Sequence, residues 1–192
     1  MNLEELSQKM WDSAFNKTNY EVSQDFLYIK EDLVRWSSTT DQKASGYAVS
    51  LNKTLSFEDV LRKITPEFQR DNNKWSQSMQ IKFVENLIMG TSSTIMLGSL
   101  TGQKSECVLL DGLQRVTAIF AFMNNEFKVF DELEFNPDFE QICNHIHNLK
   151  LRIYNFKNEK EMVQFYIDVN ENITHSSEDI EKAKNYLRNI KG

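Results

Sequence analysis

The spacing of apolar residues changes period along the chain, and each change predicts an element. Leu3, Leu6, Met10, Trp11 and Phe15 recur near helical spacing, and a second helical stretch covers Phe26 to Trp36, with Leu27, Ile29, Leu33, Val34 and Trp36 apolar. Residues 37–46, SSTTDQKASG, are small and polar and read as a loop. Tyr47, Val49 and Leu51 alternate weakly, as in an edge strand. Ser56 then precedes FEDVLRKI, a short helix with Ser56 as N-cap and acidic residues in its first turn. Pro66 ends it, because the residue before a proline is pushed out of the helical region. Ile81, Val84, Leu87 and Ile88 form one face of a further helix that closes at Gly90. Ile95–Leu97 and Cys107–Leu110 are apolar runs of strand length, and Thr101-Gly102-Gln103-Lys104 between them reads as a four-residue hairpin connection.

The sharpest change of period falls at Asp111-Gly112. Before it lies the apolar run; after it Val116, Ile119, Phe120 and Met123 sit at i, i+3, i+4 and i+7, one face of a helix. The chain thus runs strand, glycine turn, helix, with Gln114 and Arg115 in the first helical turn. A helix N-terminus presents unpaired N–H groups and a partial positive charge, which together attract phosphate. An arginine beside them adds a planar, two-pronged phosphate ligand. Further on, Phe127-Lys128-Val129-Phe130 reads as a strand, and residues 131–142 are acidic with Phe135, Phe139 and Ile142 apolar. Leu149 to Phe156 alternates as a half-buried strand, Glu159 to Val169 reads as a helix, and Ser176 caps a last helix, Ser177 to Ile190. Strand-like and helix-like segments alternate from Tyr47 onward. The expectation is an α/β (α+β) fold, a small mixed sheet surrounded by helices over residues 47–192, with an N-terminal helical extension over residues 1–46.

Composition narrows the classes. Of 192 residues, 40% are hydrophobic and 11% aromatic, enough for a folded core. A net charge of −6 argues against a general nucleic-acid coat, while leaving room for a local basic groove. Two cysteines make no disulfide framework, MNLEELSQKM lacks the basic start and apolar run of a signal peptide, and no apolar stretch approaches the roughly 20 residues of a bilayer span. These features predict a cytoplasmic protein without a membrane partner. Cys143, His145 and His147 lie close together, but a zinc site usually draws a second ligand pair from elsewhere, and His175 is the only other histidine. A polar loop entering a strand is the preferred reading.

Taken alone, the strand–turn–helix is better read as an ordinary βα unit, with Asp111 as turn residue and Arg115 in a surface ion pair. Two further segments change that weighing. Pro66-Glu67-Phe68-Gln69-Arg70, with Trp75 just after, precedes the helix that ends in Gly90. Asp111-Gly112-Leu113-Gln114-Arg115 follows, and Asn170 closes the set. In this order the segments resemble the N-terminal domain of GmrSD-type type IV restriction enzymes, a branch of the ParB/sulfiredoxin-like fold whose hallmark is an Asp-Gly-Gln-Gln-Arg motif. The resemblance spans roughly residues 55–190.

The resemblance implies a ParB/sulfiredoxin-like domain that binds a nucleoside triphosphate with Mg²⁺, and NTP hydrolysis or phosphoryl transfer connected with DNA modification or restriction. Carried over by position, Asp111, Gly112, Gln114 and Arg115 form the phosphate-side motif, with Asp111, Gln114 and Arg115 in catalytic roles. Gln69 and Arg70 match the first Gln-Arg pair, and Asn170 matches the late Asn. Arg70 and Arg115, from different segments, would converge on a polyphosphate. Asp111 would hold Mg²⁺, which favours few carboxylates plus phosphate oxygens. Trp75 or Phe68 would wall the base, with a core role for both as the equal alternative. The implied partners are the nucleotide, DNA, a nuclease or another host or phage protein, and a second copy of the chain. Two departures matter. Leu113 stands where the family usually has Gln, which puts hydrolysis in doubt while binding survives. The histidines show no HNH-like arrangement, so on its own this chain is expected not to cut DNA. The competing reading is a non-catalytic DNA- or protein-binding module of phage–host conflict.

Overall fold

The computed structural model describes residues 2–12, 18–39, 54–72, 74–100, 106–136, 138–139, 148–171 and 177–190. Among them are seven α-helices, α1 Leu3–Asp12, α2 Ile29–Trp36, α3 Phe57–Ile64, α4 Gln77–Ile88, α5 Leu113–Met123, α6 Glu159–Asn170 and α7 Ser177–Asn189. Four strands, β1 Thr18–Gln24, β2 Ser93–Ser99, β3 Val108–Asp111 and β4 Leu149–Asn155, form one mixed sheet in the order β1-β4-β2-β3. β1 pairs antiparallel with β4, β4 parallel with β2, and β2 antiparallel with β3. The predicted small mixed sheet with helices around it is therefore present. No described helix is long and apolar enough to cross a membrane.

Strand alternation divides the core in two. Ile95 and Leu97 of β2, Leu109 of β3 and Leu149, Leu151 and Ile153 of β4 point into one hydrophobic cluster with α2, α3, α4 and α5. Met96, Leu110 and Tyr154, on the opposite face, meet Met162, Phe165 and Tyr166 of α6 and Ile180 and Ala183 of α7. β3 is short and buried on both faces, which is why its sequence is a continuous apolar run. Leu149–Phe156 alternates as predicted up to Ile153; Tyr154 and Phe156 are both buried because the ring of Phe165 lies against each, at centroid distances of 4.9 and 5.3 Å.

Local signals hold where they depend on near neighbours. Ser56 caps α3 in a capping box: its Oγ accepts the Asp59 N–H at 3.1 Å, and Asp59 accepts the Ser56 N–H at 3.4 Å. Gly90, just past α4, takes φ +92°, the left-handed position that closes a helix end.

Two expectations change. Between the two N-terminal helices lies a strand, β1, which the helical reading of residues 1–36 does not contain; Tyr20 and Val22 are half-buried, and Glu21 pairs across the sheet with Arg152 at 2.5 Å. β2 ends at Ser99 and β3 begins at Val108; the expected hairpin connection Thr101–Lys104 lies outside the described residues. Phe127–Phe130 makes no strand; Val129 forms an isolated bridge with Leu133, and Phe130 and Asp131 take φ +50° and +67° in the turn between them. Phe127 and Val129 are buried and Lys128 and Phe130 exposed, so the alternation reported burial, not sheet pairing. The expected edge strand at Tyr47–Leu51, the boundary near residue 46, Ser176 as a cap, and Cys143, His145, His147 and His175 lie outside the described residues.

Candidate functional site

The β3–α5 turn is built by Gly112. Its φ is +104°, and a Cβ there would come within 3.0 Å of Ile95 Cγ1 and 3.4 Å of Ile95 Cα on the neighbouring strand. The turn therefore needs both the backbone freedom and the missing side chain. Asp111, the last residue of β3, accepts the Gly112 N–H on Oδ1 at 2.7 Å and the Arg115 Nη1–H on Oδ2 at 3.1 Å. Arg115 Nη1 also donates to the Thr94 carbonyl at 2.5 Å, so the guanidinium bridges the end of β3 and the start of β2. Both bonds use Nη1, which leaves Nε and Nη2 for a ligand. α3, α4 and α6 each begin with a side-chain cap, from Ser56, Ser76 and Asn158; α5 begins at Gly112 with none. Its first-turn N–H groups are thus uncapped by protein side chains.

Arg70, Trp75, Asp111, Gly112, Leu113, Gln114 and Arg115 line one cleft of ≈210 Å³. Two segments about forty residues apart in sequence meet there, and the joint is Gln114. Its side chain is 4% exposed; Oε1 accepts the Trp75 N–H at 3.0 Å, and Nε2 donates to Asn72 Oδ1 at 2.9 Å. Asn72 in turn donates to Thr117 Oγ1 at 2.5 Å. Both ends of the Gln114 amide are engaged in holding the segment that carries Arg70 and Trp75. Trp75 packs edge-on against Phe83 at 5.2 Å while lining the cleft. Arg70 Nε is buried and has no hydrogen-bond partner among the described residues. A buried guanidinium N–H without an acceptor is costly, which leaves this group ready to donate to an acceptor that enters the cleft.

Gln69 and Asn170 are not at the cleft. Gln69 is 2% exposed behind it: Nε2 donates to the Leu109 carbonyl at 3.0 Å, and Oε1 accepts from the Tyr166 hydroxyl at 2.7 Å and the Arg70 N–H at 3.2 Å. Asn170 is buried at the end of α6, where Nδ2 donates to the Tyr166 carbonyl at 2.8 Å. Phe68, the alternative base wall, is buried against Tyr166 and Tyr186 at 5.2 and 5.5 Å and does not reach the cleft. Tyr166 and Asn72 also join this framework without a signal in the sequence. Tyr166 lies on the apolar face of α6, where a core ring and a ring with a working hydroxyl look alike in sequence.

A model of the family "GmrSD restriction endonuclease, N-terminal domain" matches residues 51–191. The chain belongs to this family. Neither the curated proteins nor the solved structures give a significant match. The GmrSD match covers every residue of the cleft and all of β2, β3, β4 and α3 to α7, and it ties the domain to restriction. β1, α1 and α2 lie outside it, although β1 is hydrogen-bonded into the same sheet.

The phenols behind the GmrSD cleft give a pH prediction. Tyr186 donates to Glu159 Oε1 at 2.6 Å, and that bond, with burial and the nearby Glu67, lifts its pKa from 10.0 to about 12. Burial lifts Tyr166 likewise to about 12. The unfolded chain loses these protons first, so their stabilisation is complete below pH 10 and is lost as pH rises towards 12. Urea unfolding at pH 9 and 11 should show a shallower alkaline loss of stability in Tyr186→Phe than in wild type.

Proposed function

We propose that the cleft holds the phosphate end of a nucleoside triphosphate with Mg²⁺, and that the domain turns the nucleotide over in a restriction system. The observation that carries this reading is the pairing of two guanidiniums from separate segments, Arg70 and Arg115, around the uncapped start of α5, with Arg70 Nε buried and unpartnered. At ≈210 Å³ the cleft is smaller than the 300–1,000 Å³ of pockets that enclose whole ligands, so it suits a polyphosphate with the nucleoside extending past Trp75. Arg70, Nε and Nη2 of Arg115, and the first-turn N–H groups would bind non-bridging oxygens.

The fit to Mg²⁺ rests on one carboxylate. Asp111 is the acidic residue of the cleft, and no cluster of three or more His, Cys, Asp or Glu side chains occurs among the described residues. That suits magnesium, which uses one or two carboxylates plus phosphate oxygens and water. Asp111 Oδ2, which accepts from Arg115 Nη1, would be shared between the ion and the guanidinium. Bound Mg²⁺ would supply charge neutralisation across the phosphates; Asp111 and Arg115 would orient them. On the family's link to restriction, the proposal extends to DNA and a partner nuclease.

Arg115→Ala tests the binding reading. Triphosphate affinity should fall by about 1.5–3 kcal/mol, the range of a charge-assisted bond, measured by calorimetric titration. Since Arg115 also braces Thr94 and Asp111, urea unfolding should show an accompanying loss of about 1 kcal/mol. Equal affinities in wild type and variant would overturn the reading. A second reading, binding without turnover, is favoured by Leu113, whose nearly buried apolar side chain lines the cleft at the motif's amide position. Phosphate release from wild type with each NTP and Mg²⁺ separates the two.

A further inference from the structure

We infer that Tyr166 is a positioning residue whose hydroxyl, acting through Gln69, sets where Arg70 stands relative to Asp111 and Arg115. The inference rests on the phosphate-binding reading of the cleft. Tyr166 is fully buried in the middle of α6, its ring meeting Phe68 at 5.2 Å. A phenylalanine would keep that ring contact, so packing does not require the oxygen. The hydroxyl donates to Gln69 Oε1 at 2.7 Å. The same oxygen accepts the Arg70 N–H at 3.2 Å, and the other end of the amide donates to the carbonyl of Leu109 at 3.0 Å. One amide is thus fixed by three elements: α6, the segment that carries Arg70, and the strand that ends two residues later in Asp111.

The consequence falls on Arg70. Its Nε has no acceptor among the described residues, so this part of the side chain is placed by the backbone that carries it. What fixes the backbone N–H of Arg70 therefore fixes the approach of the guanidinium to the cleft. Tyr166, raised to about 12 by burial, remains a proton donor to Gln69 at any ordinary pH and is not an acid–base group. Without the hydroxyl, Gln69 Oε1 keeps only the long bond to Arg70, and the amide can pivot about its anchor on Leu109.

The test uses the full chain as wild type, Tyr166→Phe, Arg70→Ala and the double variant. Calorimetric titration with tripolyphosphate and with the four ribonucleoside triphosphates, in Mg²⁺, should show roughly tenfold weaker binding in Tyr166→Phe, the lower end of what loss of an outer supporting partner costs. In the Arg70→Ala background the same substitution should cost nothing further, because it acts through Arg70. Wild-type affinity in Tyr166→Phe, or additive losses in the double variant, would overturn the inference; a general loss of packing gives additive losses. A second measurement needs no ligand. Solvent exchange of the Arg70 backbone N–H, followed by NMR, should be slow in wild type and at least about tenfold faster in Tyr166→Phe. Unchanged exchange overturns the positioning role. If no probe binds wild type, the phosphate reading falls, and the exchange measurement alone decides the inference.

Discussion

Asp111→Asn is expected to abolish Mg²⁺-dependent nucleotide turnover while leaving the fold standing. The amide oxygen of asparagine replaces Oδ1 and still accepts the Gly112 N–H, so the turn keeps its internal bond. What disappears is the charge. The pair with Arg115 is an i,i+4 contact at 3.1 Å with both side chains partly exposed, and such pairs contribute at most about 1 kcal/mol. Among the described residues, by contrast, no other carboxylate lines the cleft for a cation, and Mg²⁺ acting on phosphate supplies several kcal/mol of transition-state stabilisation, about 10³-fold in rate or more. Phosphate release at saturating Mg²⁺, beside urea unfolding of the same samples, separates the two effects. Undiminished turnover would remove Asp111 from the mechanism. Leu113→Gln is the companion variant. It restores the amide of the family motif and should raise turnover or leave it unchanged; because Leu113 is 4% exposed, stability should fall by about 1–3 kcal/mol. If wild type shows no turnover and Leu113→Gln gains none, binding without turnover stands.

Gly112→Val should destabilise the domain by about 3 kcal/mol, lowering the thermal midpoint by roughly 6–12 °C. Two costs combine. A β-branched residue at φ +104° is strained whatever space surrounds it. Its Cβ would also press to 3.0 Å on Ile95 Cγ1 and 3.4 Å on the Ile95 backbone, and Ile95 is fully buried and cannot move aside cheaply. The added methyls make the valine worse than alanine, so Gly112→Ala should fall between the two. Thermal and urea unfolding of the three proteins check the order. A midpoint unchanged in Gly112→Val would mean that the turn between Asp111 and Leu113 does not need glycine.

Much of the site was legible before any fold was known, and the legible parts share a cause. The period switch at Asp111-Gly112, the Ser56 cap and the close of α4 at Gly90 each depend on residues within a few positions of one another. A helix start needs its cap three residues away, and a turn of φ +104° needs glycine at that position whatever lies elsewhere in the chain. The roles of Gln69 and Gln114 were not legible, because an amide reads the same in sequence whether it faces a ligand or a buried carbonyl. Gln69 reaches Tyr166 across 97 positions and Leu109 across 40, and Gln114 reaches Asn72 across 42. Only the packing of α6 and of the Arg70 segment against β3 makes Gln69 a strut behind the cleft and Gln114 the joint within its wall. The edge strand β1 and the failed strand at Phe127–Phe130 teach the same point from the side of the sheet. Alternation records which side chains are buried, whereas a strand also needs a neighbour with free backbone groups. β4 offers one to β1; Val129 finds only Leu133 in its own turn. The sequence alone determined the turn, the caps and the charged side chains at the start of α5; the tertiary structure decided which of them face the cleft, because that depends on contacts between residues far apart in the chain.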